Sequence, residues 1–137
     1  MTSNERSDKR LTEATVQEIQ LELIRRTQFN AFYGARVVSD LLAHKHLWEA
    51  VIMDSFRYSS PGALPSSGLI KLRDLPHNLW NVDTIYILTS DAGSAWKLAE
   101  IAEEWAGMVQ VFDDPGSVHT ALGNTYSKQA VVSVWWD

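Results

Sequence analysis

Three aspartates in the second half of the chain have the types and placement to do chemistry. Thr89, Ser90 and Asp91 follow one apolar run, and Asp113 and Asp114 follow the next. If those runs are neighbouring parallel strands, their carboxyl ends bring Asp91, Asp113 and Asp114 to the edge where ligands collect in an open α/β sheet. Hard carboxylate oxygens suit Mg²⁺ or Ca²⁺, and such a cation would serve a small hydrolase or phosphotransfer enzyme by neutralising charge that builds in the transition state. The plainer use of Ser90, Asp91 and Asp114 is helix N-capping, since each stands just ahead of a helical pattern. Capping is the stronger reading, because the grouping has no recognised metal-ligand spacing.

Other reactive residue types lack a supporting frame. Ser117 and His119 near Asp113 are the types of a nucleophile, base and orienting acid, but positions two apart on a helix diverge, and no Gly-x-Ser-x-Gly elbow surrounds the serine. His44 and His46 would lie about 200° apart on a helix, with no third ligand at a standard spacing. Neither a dinucleotide-binding glycine motif nor a phosphate-cradling loop ending in Gly-Lys-Ser or Gly-Lys-Thr occurs. Gly116 and Ser117 open a helix, yet Asp113 and Asp114 beside them disfavour an anion.

Six tryptophans in 137 residues exceed ordinary usage. Trp135 and Trp136 are adjacent on a predicted strand and must point to opposite faces. Trp96 falls toward the rim of its helix. Tryptophan is enriched where proteins meet, so Trp96, Trp135 and Trp136 are candidate residues of a protein contact or a homodimer seam; filling a small core with large rings is the competing account.

Bulk composition closes several classes. With no cysteine, thiol catalysis, disulfide frameworks and thiolate metal sites are excluded. Residues Met1 to Gly68 hold eight basic and eight acidic side chains, whereas Leu69 to Asp137 hold four basic and nine acidic, which accounts for the net charge of −5. No basic stripe exists beyond Arg25 and Arg26, so nucleic acid is not an expected partner. The acidic half fits a basic protein partner, a cation or a merely solvated face. The polar start and the lack of a long apolar run predict a cytoplasmic protein without a membrane partner.

The elements that must position these residues follow from periodicity. Residues 1–10 read as a flexible tail and residues 11–137 as a single domain, with no internal repeat. Thr15 and Glu18 have capping-box spacing ahead of Val16, Ile19, Leu23 and Ile24 at helical intervals. Asn30 and Gly34 mark a break, and Val37, Val38, Leu41 and Leu42 form a second helical stripe. Ala50 to Phe56 is taken as a strand, although its period also allows a helix. With Leu69 to Arg73 it predicts a hairpin around the loop Ser59 to Gly68.

Val82 to Thr89 reads as a central buried strand. A helix from Asp91 to Gly107, a strand Met108 to Phe112, a short helix from Asp114 to Gly123 and a strand Ala130 to Trp136 complete the chain. Strand, helix and strand with short joints predict a parallel crossover. The expectation is an α/β domain: two N-terminal helices, then a mixed sheet of about five strands, a hairpin followed by βαβαβ, with covering helices. Functionally the expectation is a small acidic, non-catalytic protein-binding module without a cofactor, neutralising or regulating a basic partner; the alternative is a hydrolase or phosphotransfer enzyme that uses Mg²⁺ or Ca²⁺.

Overall fold

The Thr15 hydroxyl accepts the Glu18 backbone N–H at 3.1 Å while the Glu18 carboxylate accepts the Thr15 N–H at 3.0 Å, a complete capping box. It starts helix α1 (Val16–Arg26) in a computed structural model that describes residues 9–55, 62, 70–80, 82–123 and 128–137. Residues 1–8 of the expected tail, and all but one residue of the loop expected over Ser59 to Gly68, lie outside the described residues. A two-stranded antiparallel hairpin, β1 (Gln28–Phe29) and β2 (Phe32–Tyr33), turns the chain through Asn30 at φ 46° into helix α2 (Gly34–Ala43). Asparagine is among the few residues that take this left-handed backbone readily.

Strand β3 (Ala50–Asp54) follows, and the next described element is a 3-10 helix over Ile70–His77. Then come β4 (Thr84–Thr89), α3 (Ala92–Ala102), β5 (Met108–Phe112), α4 (Pro115–Ala121) and β6 (Ala130–Trp135). The four long strands form one sheet in the order β3-β4-β6-β5, every neighbour antiparallel. With its four α-helices and two antiparallel sheets the described chain is a small mixed α/β domain.

Two sequence expectations are corrected here. The strand expected at Leu69 to Arg73 lies mostly within the 3-10 helix Ile70–His77, so the hairpin with Ala50 to Phe56 does not form, and β3 pairs with β4 instead. Alternation of Ile70 and Leu72 with Lys71 and Arg73 is too short to distinguish a strand from a helical turn. Next, β4 and β5 run in the same direction but are not neighbours, because β6 lies between them, antiparallel to both. The parallel crossover expected around α3, and the mixed sheet of about five strands, are replaced by a four-stranded antiparallel sheet, because joint length carries no information about which strand fills the gap.

The core sits under one face of this sheet. Val51, Ile87, Val132 and Val111 form one cross-strand row and Met53, Ile85, Val134 and Val109 the next. Ile24, Phe32, Val37, Leu41, Ala95 and Leu98 pack into the same cluster from the hairpin and the helices. A fully buried Val, Leu, Ile or Phe side chain contributes about 1.5–3 kcal/mol, so this layer dominates stability.

The tryptophans tie the elements together, each indole N–H donating to a named acceptor. Trp48 donates to the Leu41 carbonyl at 2.7 Å, Trp80 to Thr27 Oγ1 at 3.1 Å and Trp105 to Asp40 Oδ2 at 2.8 Å. Trp136 donates to the Trp105 carbonyl at 2.7 Å and packs edge-on against Phe32. Satisfying the one polar atom of each ring makes so many buried indoles tolerable.

Candidate functional site

Among the described residues the second face of the sheet is the more open one. Its cross-strand rows are Ala50, Leu88, Val131 and Phe112; then Ile52, Tyr86, Ser133 and Gln110; then Asp54, Thr84, Trp135 and Met108. Strand residues alternate between faces, so these are the positions left when the core rows turn inward. The rows are mainly apolar, and Asp54 is their one charged member. Ile52 is 46% exposed and Met108 66%, whereas Tyr86, Leu88, Val131 and Trp135 are half-buried by their neighbours.

Two hollows shape this face. A groove of about 670 Å³ runs over Ile52, Tyr86, Leu88 and Val131, with Ala121 and Leu122 at the end of α4 as one wall. A smaller one of about 340 Å³ lies over Tyr86, Met108, Gln110, Phe112 and Trp135. Among the described residues no Lys or Arg lines either hollow. Acidic groups stand around them: the Tyr86 phenol is held above its usual range, first by burial and then by the carboxylates of Asp54 and Asp83. Asp83 itself accepts from Trp135 Nε1 at 3.3 Å and from the Thr84 hydroxyl at 2.8 Å.

The three aspartates singled out from sequence share one end of the sheet but not one site. Asp91 caps α3, accepting the Ser94 N–H at 2.7 Å, and this bond, chiefly, lowers its pKa. Asp114 caps α4 through the Ser117 N–H at 3.1 Å and hydroxyl at 2.8 Å, which lower its pKa likewise. Asp113 accepts the indole N–H of Trp96 at 3.0 Å. Among the described residues no three His, Cys, Asp or Glu side chains are grouped to hold a metal ion, so Asp91, Asp113 and Asp114 do not converge as ligands for Mg²⁺ or Ca²⁺ would.

The other reactive candidates disperse in the same way. Ser117 is bonded to Asp114 while Asp113 turns to Trp96, so neither carboxylate links the serine to His119 as a triad would require. The His44 ring meets the Asp40 carbonyl at 2.9 Å and stands 6.2 Å from the His46 ring. Arg25 and Arg26, the adjacent basic pair noted in the sequence, both bond Glu22.

The three candidate tryptophans separate by burial. Trp136 is 2% exposed and belongs to the core, which corrects its expected place in a contact surface: the final residues turn its ring beneath Gly107 and onto Phe32. Trp135 lies half-buried on the open face, and Trp96 is 54% exposed beside the end of β5. Sequence reasoning missed Ile52, Tyr86, Leu88, Val131, Met108 and Phe112 as a surface. Their alternation with core residues was visible, but which face the helices cover depends on long-range packing. No described helix is long and apolar enough to cross a membrane. In comparison with known proteins, no family model, no curated sequence and no solved structure matches this chain.

Proposed function

We propose that this protein is a non-catalytic protein-binding module that docks a partner on the open face of its sheet. The observation that carries the reading is the largely apolar sheet face of Ile52, Tyr86, Leu88, Val131, Trp135 and Met108, whose hollows are lined by no basic side chain among the described residues. A largely apolar sheet face, half-buried at its centre and exposed at Ile52 and Met108, marks an interaction site more often than it is left to solvent. The acidic excess of the second half of the chain, nine acidic against four basic side chains, fits a basic partner, and charge complementarity of that kind speeds encounter and fixes register. Neutralising or regulating such a basic partner is the corresponding role.

The test places a photo-crosslinking amino acid at Ile52, and as a control at Glu100 on the solvent side of α3, in cells that express the protein. A stoichiometric basic partner captured from Ile52 only, and lost with Asp54→Lys, is the expected result. Equal capture from both positions, or none, overturns the reading. With the partner in hand, binding should weaken as salt rises, because screening reduces the attraction between an acidic surface and a basic partner.

A further inference from the structure

The two edges of the sheet are treated differently. Strand β3 has its outer side closed by α1: Gln17 Nε2 donates to the Val51 carbonyl at 2.9 Å, Gln17 Oε1 accepts the Val51 N–H at 2.8 Å, and Gln20 Oε1 accepts the Met53 N–H at 3.1 Å. The glutamine amide stands where the peptide group of a neighbouring strand would stand. Strand β5, the opposite edge, has the sequence Met-Val-Gln-Val-Phe. Beyond its ladder with β6, no hydrogen bond among the described residues reaches Met108–Phe112. Nor does it carry a charge or a proline, the usual devices that stop an edge from pairing.

We infer that β5 is a self-pairing edge: a second copy of the chain adds its own β5 antiparallel across a twofold axis at Gln110, making one continuous eight-stranded sheet. The strand is complementary to itself in that register. Met108 lies opposite Phe112 of the partner subunit, Val109 opposite the partner's Val111, and Gln110 opposite the partner's Gln110. Residues of equal parity face the same way, so the exposed Met108 and Phe112 side chains of both copies join on the open face and the half-buried valines join on the helix side.

Charge permits this register. Asp113 and Asp114 fall opposite Gly107 and Ala106 of the other copy, so no carboxylate meets another. The two Asp113 residues stand six residues apart along the strand direction, about 20 Å, beyond the screening length in physiological salt. Moving the axis to Val111 would instead set Asp113 and Asp114 against Val109 and Met108. Trp96, 54% exposed and bonded to Asp113, flanks each end of the seam and supplies further apolar surface. The inference rests on the strand edge and stands apart from the docking reading of the open face, which pairing would extend without covering.

Sedimentation across a concentration series tests it. The wild-type chain should pass from its 15.5 kDa monomer to twice that mass as concentration rises. Gln110→Lys sets like charges together on the axis and should raise the dissociation constant roughly tenfold or more. Because the Gln110 side chain is exposed, its thermal unfolding should match wild type at dilutions where both are monomeric, and fall below it only where the wild type is dimeric. A mixture of Gln110→Lys and Gln110→Glu chains should recover the dimer as a heterodimer, which a folding defect would not allow. A wild-type chain that stays monomeric to millimolar concentration overturns the inference, as does a dimer indifferent to Gln110→Lys. Dimers abolished by Ile52→Glu but not by Gln110→Lys would place the second copy on the open face. A monomer that binds only a foreign strand peptide would assign the edge to another partner; both results also overturn it.

Discussion

A Cβ on Gly34 would stand 1.7 Å from the Ile24 carbonyl oxygen, inside any van der Waals contact, because α2 begins directly against the last turn of α1. The Gly34 N–H donates to the Thr27 carbonyl at 3.0 Å, which holds the close approach in place. Glycine is therefore required here by space, not by a left-handed backbone. Gly34→Ala must push the two helices apart and strip contacts from Ile24 and Val37 in the core. The expected cost is about 3 kcal/mol, at the upper end for overpacking, read as a lower urea midpoint at unchanged slope. A loss near zero would show that the α1 and α2 junction is soft.

Gly107 and Trp136 make a second such pair. A Cβ on Gly107 would meet Trp136 Cε2 at 2.8 Å, Trp136 Nε1 at 2.9 Å and Val134 Cγ1 at 2.7 Å. Trp136→Phe removes the indole N–H from the Trp105 carbonyl and leaves a void in the core, a loss of about 2–3 kcal/mol. In that smaller-ringed background Gly107→Ala should cost less than it does in the wild type. A double-mutant cycle by chemical denaturation measures the coupling, and strict additivity would mean the two residues relax independently.

Local signals of this chain were legible where the physics is local. Thr15 with Glu18, Asp91 before α3, Asp114 with Pro115, and Gly123 at φ 84° after α4 all do what their residue types and spacing predict. One helix end departs from this: Gly107 was read as the stop, but the left-handed residue is Ala106 at φ 62°, and Gly107 serves the ring of Trp136 instead. Sheet order was not legible, since the insertion of β6 between β4 and β5 depends on contacts far apart in sequence. The same limit hid the open face. The aspartates drew attention as chemistry, yet two of them cap helices and the third anchors Trp96.

The capping assignment carries its own test. Asp91→Ala and Asp114→Ala remove side-chain acceptors from the first turns of α3 and α4, and each should lower the melting temperature modestly, because both sites are exposed. The decrease should be the same in millimolar Mg²⁺, Ca²⁺ or a chelator. A cation that stabilises the wild type but neither variant would restore the metal reading, since a ligand bound only by the folded state raises its stability.

Glu18 gives a pH dependence with a definite sign. The Thr15 backbone N–H first, and the Lys9 ammonium second, hold its carboxyl at about 2, against an ordinary value of 4.5. A carboxyl depressed on folding stabilises the native state above its unfolded value, and that contribution is lost as pH falls from about 4.5 toward 2. Glu18→Gln keeps an oxygen to accept the Thr15 N–H but cannot ionise. The variant should melt lower at neutral pH and show a flatter stability profile between pH 4.5 and 2. Because Lys9 and Glu18 are solvent-exposed, salt should narrow the difference. Parallel profiles for the two proteins would remove the capping box as the source of acid sensitivity.

The contrast between the sheet edges yields the last prediction. Gln17→Ala exposes both backbone groups of Val51 on the outer side of β3. Two hydrogen bonds at about 1 kcal/mol each set the expected loss near 2 kcal/mol, less whatever water restores. The more specific consequence concerns association. With β3 opened and β5 already open, each copy presents two pairing edges, and a contact that closes on itself in a dimer becomes one that can propagate. Light scattering of Gln17→Ala should therefore report species larger than a dimer, and adding Gln110→Lys should return them to dimers joined through β3. A Gln17→Ala chain that loses stability but never grows beyond the wild-type size would show that α1 still shields β3 by bulk alone.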